Sequence, residues 1–212
     1  MSLTKLAPVP FDIFDDIIKE LEAKPIPVNQ YRSKAGVGRS AAFGFVNRRS
    51  VDSDISRLCW RRPKLYKMLL DFGLRYCPVP FTSITLNQDY AAAPHRDKGN
   101  VGLSYLVAFG HYQGGELQVL DHPDLSGVYD INCQPILFDG ANLTHAVRSF
   151  TGHRYSLVYY TLAKTPSKKL MDYVPVELPS GWVLEYTDAE GKSTILKDNK
   201  GLPHPLSGRK KG

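Results

Sequence analysis

Near residue 80 the hydrophobic period of this chain changes from 3.6 to 2, and that switch limits the folds open to it. Beyond it, FTSITLNQDY, VGLSYLVAFG, GELQVLD, QPILFD, THAVRSF and RYSLVYYTL follow one another as short runs rich in β-branched and aromatic residues. Turn signals such as DKGN, QGG, DG and TGH separate them. Six closely spaced strands of this kind read as a β-sandwich or jelly roll. Ahead of them lie two helical stretches. PFDIFDDIIKELEA (10–23) repeats apolar residues at helical spacing, and Pro63 opens a second stretch whose stripe is Leu65, Met68, Leu69 and Phe72. The expected class is mainly β with flanking helices. A helical and basic segment (1–79) is expected to pack on a β core (80–175), followed by a hairpin around DAEG with a mobile basic GRKKG end (176–212).

Composition matters for what the chain meets. No run of 18 apolar residues exists, and MSLTKLAPVPFDIF lacks the basic-then-apolar pattern of a secretory leader. Three widely spaced cysteines without a CxxC argue for a reducing compartment, cytoplasm or nucleus, and against a disulfide framework or a cysteine zinc site. The net charge of +6 is uneven. Residues 31–80 hold eleven Lys/Arg against three Asp/Glu, whereas 81–163 hold four against seven. A basic segment leading into a mildly acidic core suggests an anionic partner, nucleic acid being the commonest, with a solvated basic face as the plain alternative. Within 31–62, Arg32, Lys34, Arg39, Arg48, Arg49, Arg57, Arg61 and Arg62 interleave with Tyr31, Phe43, Phe45 and Trp60. That mixture fits phosphate contact and base stacking, so DNA or RNA is the expected partner.

Chemistry concentrates in PHRDKGN (94–100). His95 and Asp97, at i and i+2, share a face on an extended strand, as an ion pair or as two ligands of one metal. His111, His122, His153 and His204 lie in or beside turns, whereas His145 follows a glycine turn near the start of a strand. His95, Asp97 and His145 together make a two-histidine, one-carboxylate set, which leaves three adjacent coordination positions open and suits non-haem Fe(II). If Thr151-Gly152 is a two-residue hairpin turn between THAVRSF and RYSLVYY, His145 pairs with Val158. Arg154 and Ser156 then share its face, with Arg154 roughly 13 Å further along at about 3.3 Å per residue. The arginine's planar fork could grip the far carboxylate of a small diacid whose near end chelates the metal, and Ser156 adds a donor.

HRD (95–97), GGEL (114–117), His145 and RYS (154–156) resemble the 2-oxoglutarate- and Fe(II)-dependent oxygenase superfamily over residues 80–163. The resemblance implies a double-stranded β-helix (a cupin-like jelly roll), an HxD…H iron site and 2-oxoglutarate held through Arg154. It also implies O2 as oxidant, ascorbate as candidate reductant, and oxidation of a C–H or methyl group. LNQDYAAAPHRD is similar to the stretch before HxD in AlkB-type enzymes, which makes Asn87 and Tyr90 candidate co-substrate contacts. The TET/JBP-like enzymes, which oxidise 5-methylpyrimidines in nucleic acid, are the first expected home, and AlkB-like demethylases the second. GGEL is also similar to prolyl-hydroxylase-type domains, so a protein hydroxylase is the alternative reading. A non-catalytic jelly-roll binding module, with HxD as an ion pair, is the third.

Overall fold

The computed structural model describes residues 2–28, 36–48 and 51–162, together with the backbone of three C-terminal strands. Its frame is a seven-stranded sheet in the order β1-β8-β5-β10-β4-β2-β3 facing a three-stranded sheet β7-β6-β9. In chain order these are β1 (Leu3–Lys5), β2 (Gly36–Arg48), β3 (Val51–Ile55), β4 (Ser83–Ala92), β5 (Asn100–Gly114), β6 (Leu117–Leu120), β7 (Gly127–Tyr129), β8 (Ile136–Phe138), β9 (Thr144–Val147) and β10 (Phe150–Leu162). The pairings are antiparallel, and the two-sheet arrangement is the expected jelly roll.

Alternation along β10 explains the layering. Tyr155, Leu157 and Tyr159 belong to one core, while Arg154, Ser156 and Val158 point the other way, into the space between the sheets. The same split runs through β5, where Tyr105, Val107 and Phe109 join the first core and Leu106 and Ala108 the second. Helices close the first core on the outer face of the large sheet. PFDIF begins as a 3-10 turn (Phe11–Phe14) and continues as α1 (Asp15–Ala23); α2 (Leu58–Arg61) and α3 (Pro63–Tyr76) follow β3. Pro63 sits in the first turn of α3, where a missing N–H costs nothing. Leu65, Leu69 and Phe72 are buried as the stripe requires, and Met68 packs at its edge.

Phe14 is fully buried and stacks on Phe109 with ring centroids 4.1 Å apart, which makes it the bolt between the N-terminal helix and the sheet. Phe14→Ala is expected to cost about 3–5 kcal/mol, because the transfer loss and the cavity add. Urea denaturation monitored by circular dichroism reads this as a lowered midpoint at unchanged slope.

One strand connection differs from expectation. THAVRSF and RYSLVYY do not form a hairpin across Thr151-Gly152. β9 pairs with β6 in the small sheet, Val119 opposite His145, while β10 runs straight through Gly152 and pairs with β5 from Phe150↔Gly114 onward. Arg148 and Ser149 carry the chain between sheets, tied down by Arg148 N–H to the Glu116 carbonyl (3.0 Å) and Gly115 N–H to the Ser149 carbonyl (3.1 Å). Gly152 is a glycine for another reason: at φ +91° it lets β10 approach β5 so closely that a Cβ would strike the His111 carbonyl. The expected pairing of His145 with Val158 is therefore wrong, although the alternation that puts Arg154, Ser156 and Val158 on one face is right.

Further along, β11 (Val183–Thr187) and β12 (Ser193–Lys197) pair antiparallel, and β13 (Pro203–His204) joins β12. The DAEG turn, the boundary at 175–176 and the GRKKG end lie outside the described residues. Among the described residues no helix is long and apolar enough to cross a membrane. Cys59, Cys77 and Cys133 are all free thiols.

Candidate metal centre

β4 stops at Ala92, two residues before Pro94, which has no N–H to extend the ladder. His95 and Asp97 consequently sit in the loop leading to β5 rather than on a strand, and backbone bonds replace the strand in holding them. The His95 N–H donates to the His145 carbonyl (3.0 Å) and the His145 N–H returns the bond (2.9 Å). The Asp97 N–H donates to the Gly140 carbonyl (2.8 Å). Two chain segments fifty positions apart thus carry three side chains to one point. A ligand atom from each of His95, Asp97 and His145 lies within 4.8 Å of the others.

The imidazoles are oriented in the same way. His95 Nδ1 is 2.8 Å from the Ala93 carbonyl and His145 Nδ1 is 2.9 Å from the Leu143 carbonyl. A carbonyl only accepts, so each Nδ1 carries the proton and each Nε2 keeps its lone pair. Both Nε2 atoms stand close to Asp97: His95 Nε2 is 3.7 Å from Oδ1 and His145 Nε2 is 3.7 Å from Oδ2. Those separations are too long for hydrogen bonds, so the three groups face one another without bonding one another. Burial first of all pushes the His145 pKa down; the Leu143 carbonyl opposes this and neighbouring His95 adds to it. A neutral imidazole is the form that ligates a metal. The donor set, two imidazole nitrogens and one carboxylate, fits Fe(II).

Arg154 closes the other side of the same cavity, a space of about 500 Å³. It is only 1% exposed, the largest fully buried side chain among the described residues. Its Nε donates to the Gly115 carbonyl (3.0 Å), and its guanidinium lies over Tyr112 and Phe150, 5.5 and 5.7 Å from the ring centres. Nη2 is buried with no partner. Burial draws the arginine pKa down and nearby Tyr112 draws it up, yet guanidinium remains charged in proteins. A buried cation with an unpaired donor is costly unless an anion meets it, and a carboxylate suits the fork. Ser156 lies beside it and accepts a hydrogen bond from Asn87 Nδ2 (3.1 Å), as the Ser156↔Asn87 register dictates. Tyr90 is buried and lines the cavity too. All seven residues singled out from the sequence therefore border one space, with Leu106, Leu117, Phe138 and Val147 as its apolar wall.

Sequence reasoning missed what holds Arg154. Asp89 stands at φ +49° at the end of the β4–β10 pairing, and its Oδ1 accepts the Arg154 N–H (2.9 Å). Gly115, φ +72°, leaves the arginine its space: a Cβ there would lie 2.8 Å from both Arg154 Cδ and Nε. The doubled glycine of GGEL was a visible signal; Asp89 gave none. Gly115→Ala is expected to weaken binding of a diacid at Arg154 at least ~10-fold, since it meets both a forbidden backbone region and a clash. Thermal shift against 2-oxoglutarate concentration in the Mn(II)-loaded protein reads the loss.

The aromatics of the basic segment correct another expectation. Phe43 and Phe45 are buried in the main core and so have no face free to stack on bases, while Trp60 is partly buried and packs against the same core. Arg62 is buried and pairs with Glu20 at 3.2 Å, while Arg39 Nη1 caps the Ile26 carbonyl (2.8 Å). Arg57 and Arg61 are exposed. Tyr31, Arg32, Lys34 and Arg49 lie outside the described residues, as does the Arg48 side chain.

No protein-family model matches the sequence, and no curated protein matches it. Solved structures do match. NgTET1 in complex with 5mC DNA aligns at TM-score 0.55 and 15% identity over 77% of this chain and 74% of that one. A 2OG-Fe(II) oxygenase family oxidoreductase from Burkholderia pseudomallei aligns at TM-score 0.47 and 18% identity, covering 74% and 82%. A prolyl-4-hydroxylase from Pseudomonas putida aligns at 0.48 and 12%, covering 77% and 93%. Two facing antiparallel sheets with helices on the larger give this chain a double-stranded β-helix fold, the fold it shares with NgTET1.

Proposed function

We propose that the protein is a dioxygenase that uses Fe(II), 2-oxoglutarate and O2 to oxidise a C–H or methyl group on a nucleic-acid base. One observation carries the reading: two imidazoles and a carboxylate with their ligand atoms gathered within 4.8 Å share a cavity with a buried arginine whose Nη2 lacks a partner. His95, Asp97 and His145 would hold the iron on one face, and Arg154, supported by Gly115 and Asp89, would hold the distal carboxylate of 2-oxoglutarate. Ser156, Asn87 and Tyr90 would complete that subsite. When bound, the iron supplies the redox chemistry that couples conversion of 2-oxoglutarate and O2 into succinate and CO2 with hydroxylation of the substrate, ascorbate serving as reductant between cycles. The chain's own part is position and exclusion of water. The Nδ1 bonds to Ala93 and Leu143 fix both ligand rings, and Phe138, packed edge-on to His145 at 5.0 Å, dries the far side.

The nucleic-acid half is supported by the fold match to NgTET1, solved with 5mC DNA, and by the cationic 31–80 segment. The test is succinate release across methylated oligonucleotides and peptides at saturating Fe(II) and 2-oxoglutarate. Stimulation by 5-methylpyrimidine oligonucleotides is expected. Stimulation by peptides alone would overturn the substrate assignment, and no succinate with any partner would overturn the enzyme.

A further inference from the structure

Arg96, between the two ligands of the HRD stretch, borders the cavity on its open side with Lys98 and Asn100. The side chain is exposed but not loose. Its Nε donates to Thr144 Oγ1 at 2.8 Å, the residue before His145. The bond at Nε restrains the guanidinium plane and leaves both terminal nitrogens as a fork for a ligand, so less side-chain entropy is lost on binding. No carboxylate pairs with Arg96 or Lys98 among the described residues; Asp97, between them, turns toward the imidazoles. The two cations thus stand unneutralised at the mouth of a core segment that is otherwise net acidic.

We propose that Arg96 and Lys98 form a phosphate clamp at the cavity mouth, anchored by Thr144, that grips the sugar-phosphate backbone next to the base being oxidised. This rests on the nucleic-acid reading above and gives it a place of contact. A planar fork suits two phosphate oxygens, Lys98 adds a point charge two positions on, and the Asn100 amide borders the same rim. Because the anchor residue adjoins His145, seating the phosphate also fixes the substrate's register against the metal-ligand pair.

The experiment measures fluorescence anisotropy of a labelled 12-nucleotide single strand containing one 5-methylcytosine, titrated with Mn(II)- and 2-oxoglutarate-loaded protein at several salt concentrations. Arg96→Ala is expected to weaken binding about tenfold, as loss of a charge-assisted contact does, and to reduce the slope of log K against log salt by ~0.7. Arg96→Lys, which keeps the charge without the fork, should retain the slope and lose part of the affinity. Lys98→Ala should lower the slope as Arg96→Ala does. The thermal shift produced by Mn(II) and 2-oxoglutarate should be unchanged in all three, which separates the clamp from folding and from the metal site. Wild-type binding with a clear salt slope that Arg96→Ala and Lys98→Ala leave intact would overturn the clamp while sparing the nucleic-acid reading. No oligonucleotide binding by the wild type, or equal affinity for an oligoglutamate peptide, would overturn both.

Discussion

His145→Ala is expected to take the proposed iron-dependent succinate release to background, a loss of at least ~10²-fold, since even outer partners of a metal ligand are worth 10–100-fold. The reason is that the three proposed ligands face one another without bonding one another. Asp97 lies 3.7 Å from each Nε2, so removing either imidazole leaves a two-point site rather than a repaired one. The wild-type protein at an Mn(II) concentration one hundred times its dissociation constant gains about 2.7 kcal/mol, which for a chain of 212 residues is roughly 5–10 °C in Tm. His145→Ala and Asp97→Ala lose that increment, and chelation by EDTA abolishes it in the wild type. A variant that kept the full Mn(II) shift would show that the residue is not a ligand. His145→Ala also opens a small cavity beside Phe138, so the metal-free Tm is the baseline for each variant.

Arg154→Met separates function from stability, because the two effects have opposite signs. Co-substrate affinity should fall by about 2–5 kcal/mol, roughly 30-fold to several thousandfold, as expected when one partner of a buried hydrogen-bonded charge pair is removed. The ligand-free protein should nevertheless melt no lower than wild type. Without a diacid, Arg154 is a buried cation with Nη2 unsatisfied, held by Gly115 and the faces of Tyr112 and Phe150. Replacing a buried charge by an apolar chain of similar length is often neutral or stabilising. Titrating 2-oxoglutarate into Mn(II)-loaded protein by thermal shift checks both halves. A clear fall in the ligand-free Tm with co-substrate response retained would make Arg154 a structural residue.

The candidate ligand set, His95, Asp97 and His145, could be picked out because its chemistry is written in residue type and local spacing. His95 and Asp97 are two positions apart, and of the other histidines His145 was the one placed near the start of a strand, after a glycine turn. What brings them together was not legible. The reciprocal bonds between His95 and His145, and the Asp97 bond to Gly140, are backbone contacts that any side chains could make. The arginine came out on the right face by period alone, since Arg154, Ser156 and Val158 alternate whatever their strand pairs with. The turn assigned to Thr151-Gly152 failed because glycine serves both for tight turns and for close strand approach, and only the opposing His111 carbonyl decides which. Phe43, Phe45 and Trp60 sat among arginines in the sequence but turn inward, because aromatic burial outweighs the charge of neighbouring residues.

By itself, the order of residues determined the strand-rich class, the helical stripes, the chemical identity of three donors and the parity of Arg154, all of which depend on neighbours within a few positions. Only the tertiary structure decided which strands pair, that β9 and β10 belong to different sheets, and that Asp89 and Gly115 hold the arginine. Those outcomes depend on contacts between groups far apart along the chain, where space, backbone bonding and burial choose among pairings that local pattern leaves equal.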